Sequence, residues 1–183
     1  EGRLYERWTD SRSAHCELLA GFVTDLAREA GIPVALIGGI AVSVGPGSFT
    51  GLRIGIATAM GLAYGLGIPA CGVGTLAAMA WRAGKPGSLV CPLIDAKRGE
   101  AYAAVYRTGG ELPDVVMEPT AIPVAVLADV LAGLGEPVTL AGPAAEKFRS
   151  VLERPEAPAF AIVPPESAKP SAAAVAFMGV RIM

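Results

Sequence analysis

The residues best placed to do chemistry sit in one loop. Gly45-Pro46-Gly47-Ser48-Phe49-Thr50-Gly51-Leu52-Arg53 follows the apolar run Ile37 to Val44 and opens a segment crowded with glycine. A strand running through a Gly-rich turn into a helix can aim backbone N–H groups at a phosphate. The same glycines can instead strip one helix face so that a neighbour packs closely.

The familiar nucleotide motifs do not fit this loop. A Walker A loop carries Lys and then Ser or Thr directly after its last glycine, whereas Gly51 is followed by Leu52 and Arg53. A dinucleotide fingerprint reads G-x-G-x-x-G, with an acid about 20 residues on. Gly45 and Gly47 match its first half, but Thr50 stands at the third glycine position, and the run Ile68 to Val73 ends in Gly74-Thr75 without an acid.

Other catalytic sets are thin. His15 is the only histidine, and Leu19 stands four residues later, where a second helical metal ligand would be required. Ser48 lies in no G-x-S-x-G elbow, and a triad would have to draw on that single histidine. Ser48 and Thr50 read more simply as helix caps. Cys16, Cys71 and Cys91 are widely spaced with no C-x-x-C pair, so they indicate neither a disulfide framework nor a zinc site. Asp95, beside Lys97 and Arg98, either closes a turn or contacts a nucleotide or partner. Arg53 opposes the helix dipole near the helix start, which calls for a carboxylate or ligand partner unless the side chain is simply exposed. The residues therefore name no catalytic centre and no metal site.

Composition narrows the class. The 183 residues suffice for one domain or two small ones. Hydrophobic residues make up 52% and charged residues 17%, an apolar excess that suggests surface committed to a partner. A net charge of −2 with interspersed signs gives no independent nucleic-acid footprint. Glu1 to Trp8 contains no apolar signal core. The apolar run Ile54 to Ile68 falls short of the roughly 20 residues that a membrane span needs. The expectation is a cytoplasmic protein with no membrane role.

The elements that must position the loop follow from periodicity. Ala14 to Ala30 carries Leu18, Leu19, Phe22, Val23, Leu26 and Ala27 at helical spacing and ends at Gly31 and Pro33. Ile37 to Val44 reads as a strand, Thr50 to Leu66 as a helix, Ile68 to Val73 as a strand and Leu76 to Ala83 as a helix. Leu89 to Asp95, Glu100 to Arg107 and Glu111 to Met117 read as an antiparallel meander joined by tight turns. A helix (Val124 to Leu134), a strand (Val138 to Ala141), a helix (Ala144 to Leu152), a Pro-rich stretch (Pro155 to Pro170) and a last helix (Ser171 to Ile182) follow. Gly84 to Gly87 marks a boundary between two α/β lobes, 1–86 and 87–183.

Gly47, Gly51, Gly55, Ala59, Ala63 and Gly67 recur every fourth residue, which leaves one face of the second helix almost bare. Each interior glycine costs roughly 1 kcal/mol relative to alanine, so packing must offset them. The first helix is the natural neighbour. Leu19, Phe22, Val23 and Leu26 on it, with Gly51, Gly55, Ala59 and Ala63 on the second, are the candidate partner interface, unless that packing is purely internal.

The segment Gly45-Pro46-Gly47-Ser48-Phe49-Thr50-Gly51-Leu52-Arg53-Ile54-Gly55 resembles the signature of the TsaB/YeaZ family. His15-Cys16-Glu17-Leu18-Leu19, Gly67-Ile68-Pro69, Gly72-Val73-Gly74-Thr75-Leu76, the run Leu93 to Tyr102 and Lys169-Pro170-Ser171-Ala172 are similar to further parts of that family. The resemblance implies a two-lobed actin-like, Hsp70-like ATPase fold of the ribonuclease H-like class. It implies a protein that assists threonylcarbamoylation of adenosine 37 in tRNA (t6A), paired with a TsaD-like paralogue and joined by a TsaE-like ATPase. It also implies homodimers, contact with tRNA through the complex, and an interface made by the first two helices. ATP or ADP at the partner interface stays open. The family begins with strands that have no counterpart before Glu1, so Arg3 to Trp8 is expected to form the third strand of the first lobe. Two other readings stand beside the scaffold: a small ATP-hydrolysing protein of the same fold, and a peptidase of the M22 type.

Overall fold

The computed structural model describes residues 3–9, 15–154, 160–164 and 169–183, the first four residues of the opening helix by backbone alone. The chain divides into two compact units, Glu1–Gly74 with Ala172–Met183, and Thr75–Ser171. These bounds differ from a cut at residue 86 in two places. The helix after Gly74 belongs to the second unit, and the last helix returns to the first.

The first unit is built on helix α1 (His15–Ala30), strand β1 (Ile40–Ser43), helix α2 (Phe49–Leu66) and strand β2 (Ala70–Val73). β1 and β2 pair in parallel, with Ala41 opposite Cys71 and Val42 opposite Gly72. A single turn of 3-10 helix, Val34–Leu36, precedes β1 and shortens the strand expected from residue 37. The last helix, α6 (Ala172–Ile182), packs on both strands, as does α2. Successive strand residues point to opposite faces. Ala41 meets Gly179 of α6, and Val42 meets Gly55 of α2. The two-stranded sheet is therefore covered on both sides.

Arg3 to Trp8 does not form a strand. Its side chains are used to tie helices instead. Arg7 forms ion pairs with Asp25 and Glu29 of α1, at 3.1 and 3.3 Å. Glu6 accepts a hydrogen bond from the Ala173 N–H at the start of α6, at 3.0 Å. That N–H is one of the helix-end donors without an intrahelical partner.

The second unit holds α3 (Thr75–Ala83), β3 (Leu89–Lys97), β4 (Glu100–Arg107), β5 (Asp114–Pro123), α4 (Val124–Gly133), β6 (Val138–Ala141), α5 (Ala145–Leu152) and β7 (Phe160–Ile162). The sheet order is β5-β4-β3-β6-β7. The expected meander, β3-β4-β5, is antiparallel. β6 and β7 then extend it in parallel beyond β3. β5 runs on to Pro123, past the expected end at Met117, and β7 lies within the Pro-rich stretch where no strand was read.

Alternation along the strands sorts side chains into two cores. Leu89, Cys91 and Leu93 of β3 and Ala101, Ala103 and Val105 of β4 pack with Leu127 and Leu131 of α4 and Phe148 and Leu152 of α5. Val90, Ala104 and Tyr106 pack on the opposite face with Leu76 and Met79 of α3. Covering both faces explains why β3 reads as an unbroken apolar run rather than an alternating one. Burial pushes the Cys91 thiol up to about 12, which marks it as an inert core residue.

Candidate functional site

Val44 continues from β1, its N–H donating to the Val73 carbonyl at 3.0 Å. The chain then turns through Gly45, whose φ of 109° excludes most side chains, and a cis Gly45–Pro46 bond. A methyl on Gly45 would lie 3.1 Å from Leu52 Cδ1, so the loop folds tightly back on the first turn of α2. Ser48 is the N-cap, and its hydroxyl accepts the Gly51 N–H at 3.3 Å. Thr50 lies within the helix. The glycine at 51 thus keeps its N–H on an internal partner, one of the donors that a phosphate at this helix start would take.

Gly67 ends α2 in the left-handed conformation, φ 65°, and the Ile68 N–H closes on the Ala63 carbonyl at 3.1 Å. The eighteen residues between the caps form the one described helix that is long and apolar enough to cross a membrane, by length and composition alone.

Gly55, Ala59 and Ala63 of α2 face inward, whereas Ala57, Gly61 and Gly65 are exposed. Ala59 and Ala63 are its buried residues. A methyl on Gly55 would lie 3.8 Å from Val42 Cγ2. The close neighbour at Gly55 is thus strand β1 rather than the first helix. Gly51 lies against Ser48. α1 does pack beside α2, and its Leu19, Phe22, Val23 and Leu26 are each only half-buried.

What α2 turns outward is a different set. Phe49 is 73% exposed, Met60 64% and Tyr64 93%. Arg53 is exposed among them, its guanidinium 5.4 Å from the centre of the Phe49 ring. Positions 49, 53, 60 and 64 fall within a narrow sector at 3.6 residues per turn. This stripe of Phe, Arg, Met and Tyr has the composition enriched in protein interfaces. The spacing i, i+4, i+11, i+15 is visible in the sequence, but the every-fourth-residue glycine pattern drew attention to the opposite side. Arg53 meets neither expectation in full, because it is exposed yet ordered by a cation–π contact.

Asp95 lies two residues before the end of β3, at the hairpin to β4. Its carboxylate accepts from Lys147 Nζ at 2.7 Å, from the Lys97 N–H at 2.8 Å and from Lys97 Nζ at 3.4 Å. The Lys147 ammonium, followed by the Lys97 N–H, holds its pKa down at about 2. Lys97, Arg98 and Gly99 all have positive φ, at 72°, 54° and 82°. The turn-closing role of Asp95 is thus visible in its bonds. His15 and Cys16 have side chains outside the described residues. Among the described residues, no three His, Cys, Asp or Glu side chains group as they would around a metal ion.

Comparison with known proteins places these features. A family model described as "TsaD: tRNA N6-adenosine threonylcarbamoyltransferase" matches residues 9–179. The "tRNA threonylcarbamoyladenosine biosynthesis protein TsaB" of Escherichia coli is 40% identical over 115 residues, 57% of this chain and 49% of that protein. Its Bacillus subtilis namesake is 32% identical over 114 residues, 62% of this chain and 50% of that protein. The chain spans about half the length of the curated relatives it matches. The solved structure of YeaZ from Pseudomonas aeruginosa superimposes with a TM-score of 0.76 at 27% identity, over 91% of this chain and 75% of that one. A second structure, described as similar to peptidase YeaZ, gives 0.78 at 28% identity, over 99% and 84%. The sequence signature at Gly45–Gly55, the mixed α/β architecture and these matches agree: the chain belongs to the TsaD family, in its TsaB/YeaZ group, with the actin-like, Hsp70-like fold of that family.

Proposed function

We propose that this protein is a non-catalytic partner of a TsaD-type enzyme in forming threonylcarbamoyladenosine at position 37 of tRNA. It acts in the cytoplasm, with tRNA reached through the complex and a TsaE-type ATPase joining the pair. The observation that carries this reading is the outward stripe of α2. Phe49, Met60 and Tyr64 hold large apolar surface in water, beside a first helix whose apolar stripe is only half covered. Large exposed apolar patches of this kind mark interaction surfaces. The Gly45–Ser48 loop sets the entry angle of α2 and so fixes where the stripe points. The names of the relatives, biosynthesis proteins for the same modified nucleoside, supply the pathway.

The test is to mix the full-length protein with the TsaD-type enzyme of its own organism and measure mass by size exclusion with light scattering. A 1:1 complex is expected, and it should be lost in Tyr64→Asp or Phe22→Asp variants that melt like the parent. Steady ATP hydrolysis by the protein alone, with no complex formed, would replace this reading with that of an independent ATPase.

A further inference from the structure

Two neighbouring side chains of the opening segment grip different helices of the first unit. Arg7 reaches α1, with one guanidinium nitrogen 3.1 Å from Asp25 and the other 3.3 Å from Glu29. Glu6 reaches α6, where its carboxylate accepts the Ala173 N–H at 3.0 Å. Residues 3–9 adopt neither helix nor strand, so the placement of this segment depends on contacts such as these.

The two helices are anchored differently. α6 lies on the strands, with Gly179 directly against Ala41. α1 packs on α2 and on the 3-10 turn Val34–Leu36 rather than on the strands, and its stripe is only half-buried. Sparse burial leaves a helix free to shift and open locally. Positions 22, 25, 26 and 29 share one face of a helix. Arg7 therefore takes hold of α1 beside Phe22 and Leu26, two residues of the candidate partner interface.

Each grip is weak by itself. Exposed ion pairs contribute little singly, and a carboxylate on a helix-start N–H acts as a cap does. Their adjacency in the chain matters more than their strength. Once Glu6 is fixed on the firmly seated α6, the backbone at Arg7 has little freedom left to lose, so less entropy opposes the second grip.

We propose that Glu6 and Arg7 form a clasp that couples α6 to α1, with Arg7 the positioning residue that holds the Phe22–Leu26 face where a partner meets it. The positioning role rests on the partner reading above. Coupling of this kind is reciprocal: releasing the grip on α6 loosens α1, and releasing the grip on α1 loosens the start of α6.

The test uses the full-length protein and the variants Glu6→Ala, Glu6→Gln and Arg7→Met. Amide hydrogen exchange is read by NMR at residues 22–30 of α1 and at Ala173 of α6, and affinity for the TsaD-type partner by titration calorimetry. Glu6→Ala should speed exchange at residues 22–30 roughly threefold, the scale that exposed pairs carry, and weaken partner binding by a similar factor, although its contact is with α6. Arg7→Met should speed exchange at Ala173 to a similar extent. Glu6→Gln keeps an oxygen that accepts the Ala173 N–H and should leave α1 as in the parent. In the double variant Glu6→Ala/Arg7→Met, residues 22–30 should exchange little faster than in Arg7→Met alone. If Glu6→Ala changes only α6 and Arg7→Met only α1, the clasp is refuted. If exchange is coupled but both variants bind the partner as the parent does, the positioning role of Arg7 is wrong and the partner reading stands. If the wild type forms no complex, the partner reading falls with the positioning role, and exchange alone decides whether the clasp couples the helices.

Discussion

Gly179 of α6 rests directly on Ala41 of β1, so close that a methyl group added to the glycine would collide with the Ala41 side chain and approach Cys71 Sγ at 3.2 Å. The Cys71 thiol donates to the Gly179 carbonyl at 3.7 Å. Interiors packed this tightly do not absorb an added methyl without shifting. Gly179→Ala should destabilise the first unit by about 1–3 kcal/mol, read as a lower melting temperature. Gly21→Ala is the control. Nothing lies within 4 Å of a methyl there, so the same change in the interior of α1 should stabilise by about 0.5–1 kcal/mol.

Thr108 is the buried polar residue that pins the start of the second unit's sheet. Its hydroxyl donates to the Lys85 carbonyl at 2.7 Å, with the Ser88 hydroxyl 3.1 Å away. The Gly87 N–H donates to the Thr108 carbonyl at 2.6 Å. Thr108→Val keeps the shape and removes this bond, while the Lys85 carbonyl still accepts from the Ser88 N–H at 3.0 Å and the Ser88 hydroxyl at 2.8 Å. A loss of about 0.5–1.5 kcal/mol is expected, measured as a lower urea midpoint with an unchanged slope.

Asp95 should make stability depend on acid. Its pKa is lowered from 3.8 to about 2 in the folded protein, so the native state binds fewer protons than the unfolded chain in that window. The stabilisation is present in full above pH 4 and disappears as pH falls through about 2. Asp95→Asn should melt earlier than the wild type at pH 6, and the two should converge near pH 2. A constant gap between the two melting curves across that range would show that the carboxylate's charge contributes nothing.

Leu127 of α4 is fully buried in the larger core of the second unit. Leu127→Ala should cost about 2–5 kcal/mol. Arg107 and Glu136 form a two-point pair at 2.9 and 3.1 Å in water-exposed surroundings. Arg107→Ala should cost no more than about 1 kcal/mol, and less in high salt. Chemical denaturation of the two variants side by side distinguishes core from surface.

The fold was legible wherever one period dominated. α1 is set by Leu19, Phe22, Val23 and Leu26, and β4, Glu100–Arg107, by an apolar run with polar ends lying between two tight turns. β7 was missed because Phe160–Ile162 is three residues long and lies among prolines. It is a strand because β6 offers it a parallel edge, a tertiary cause with no local signal. The third-strand expectation for Arg3 to Trp8, drawn from the family resemblance, fails for a related reason. A strand needs a partner ladder, and Glu6 and Arg7 bind helices instead. The loop at Gly45 to Arg53 carries its signature in its own residue types. The direction of α2 is not written there, because a helix with small residues on one side and large ones on the other has two faces that could meet a neighbour. Gly55 over Val42 resolves it.

The return of α6 to the first unit sets the order in which synthesis can complete the two units. Residues 75–171 have all been made before the segment that covers Ala41 and Cys71. Until the eleven residues of α6 emerge, the nascent chain carries β1 and β2 with one apolar face open, a state in which chaperone holding or aggregation competes with folding. A chain cut just before Ala172 would therefore spare the unit nearest to the cut in sequence and disable the one farthest away.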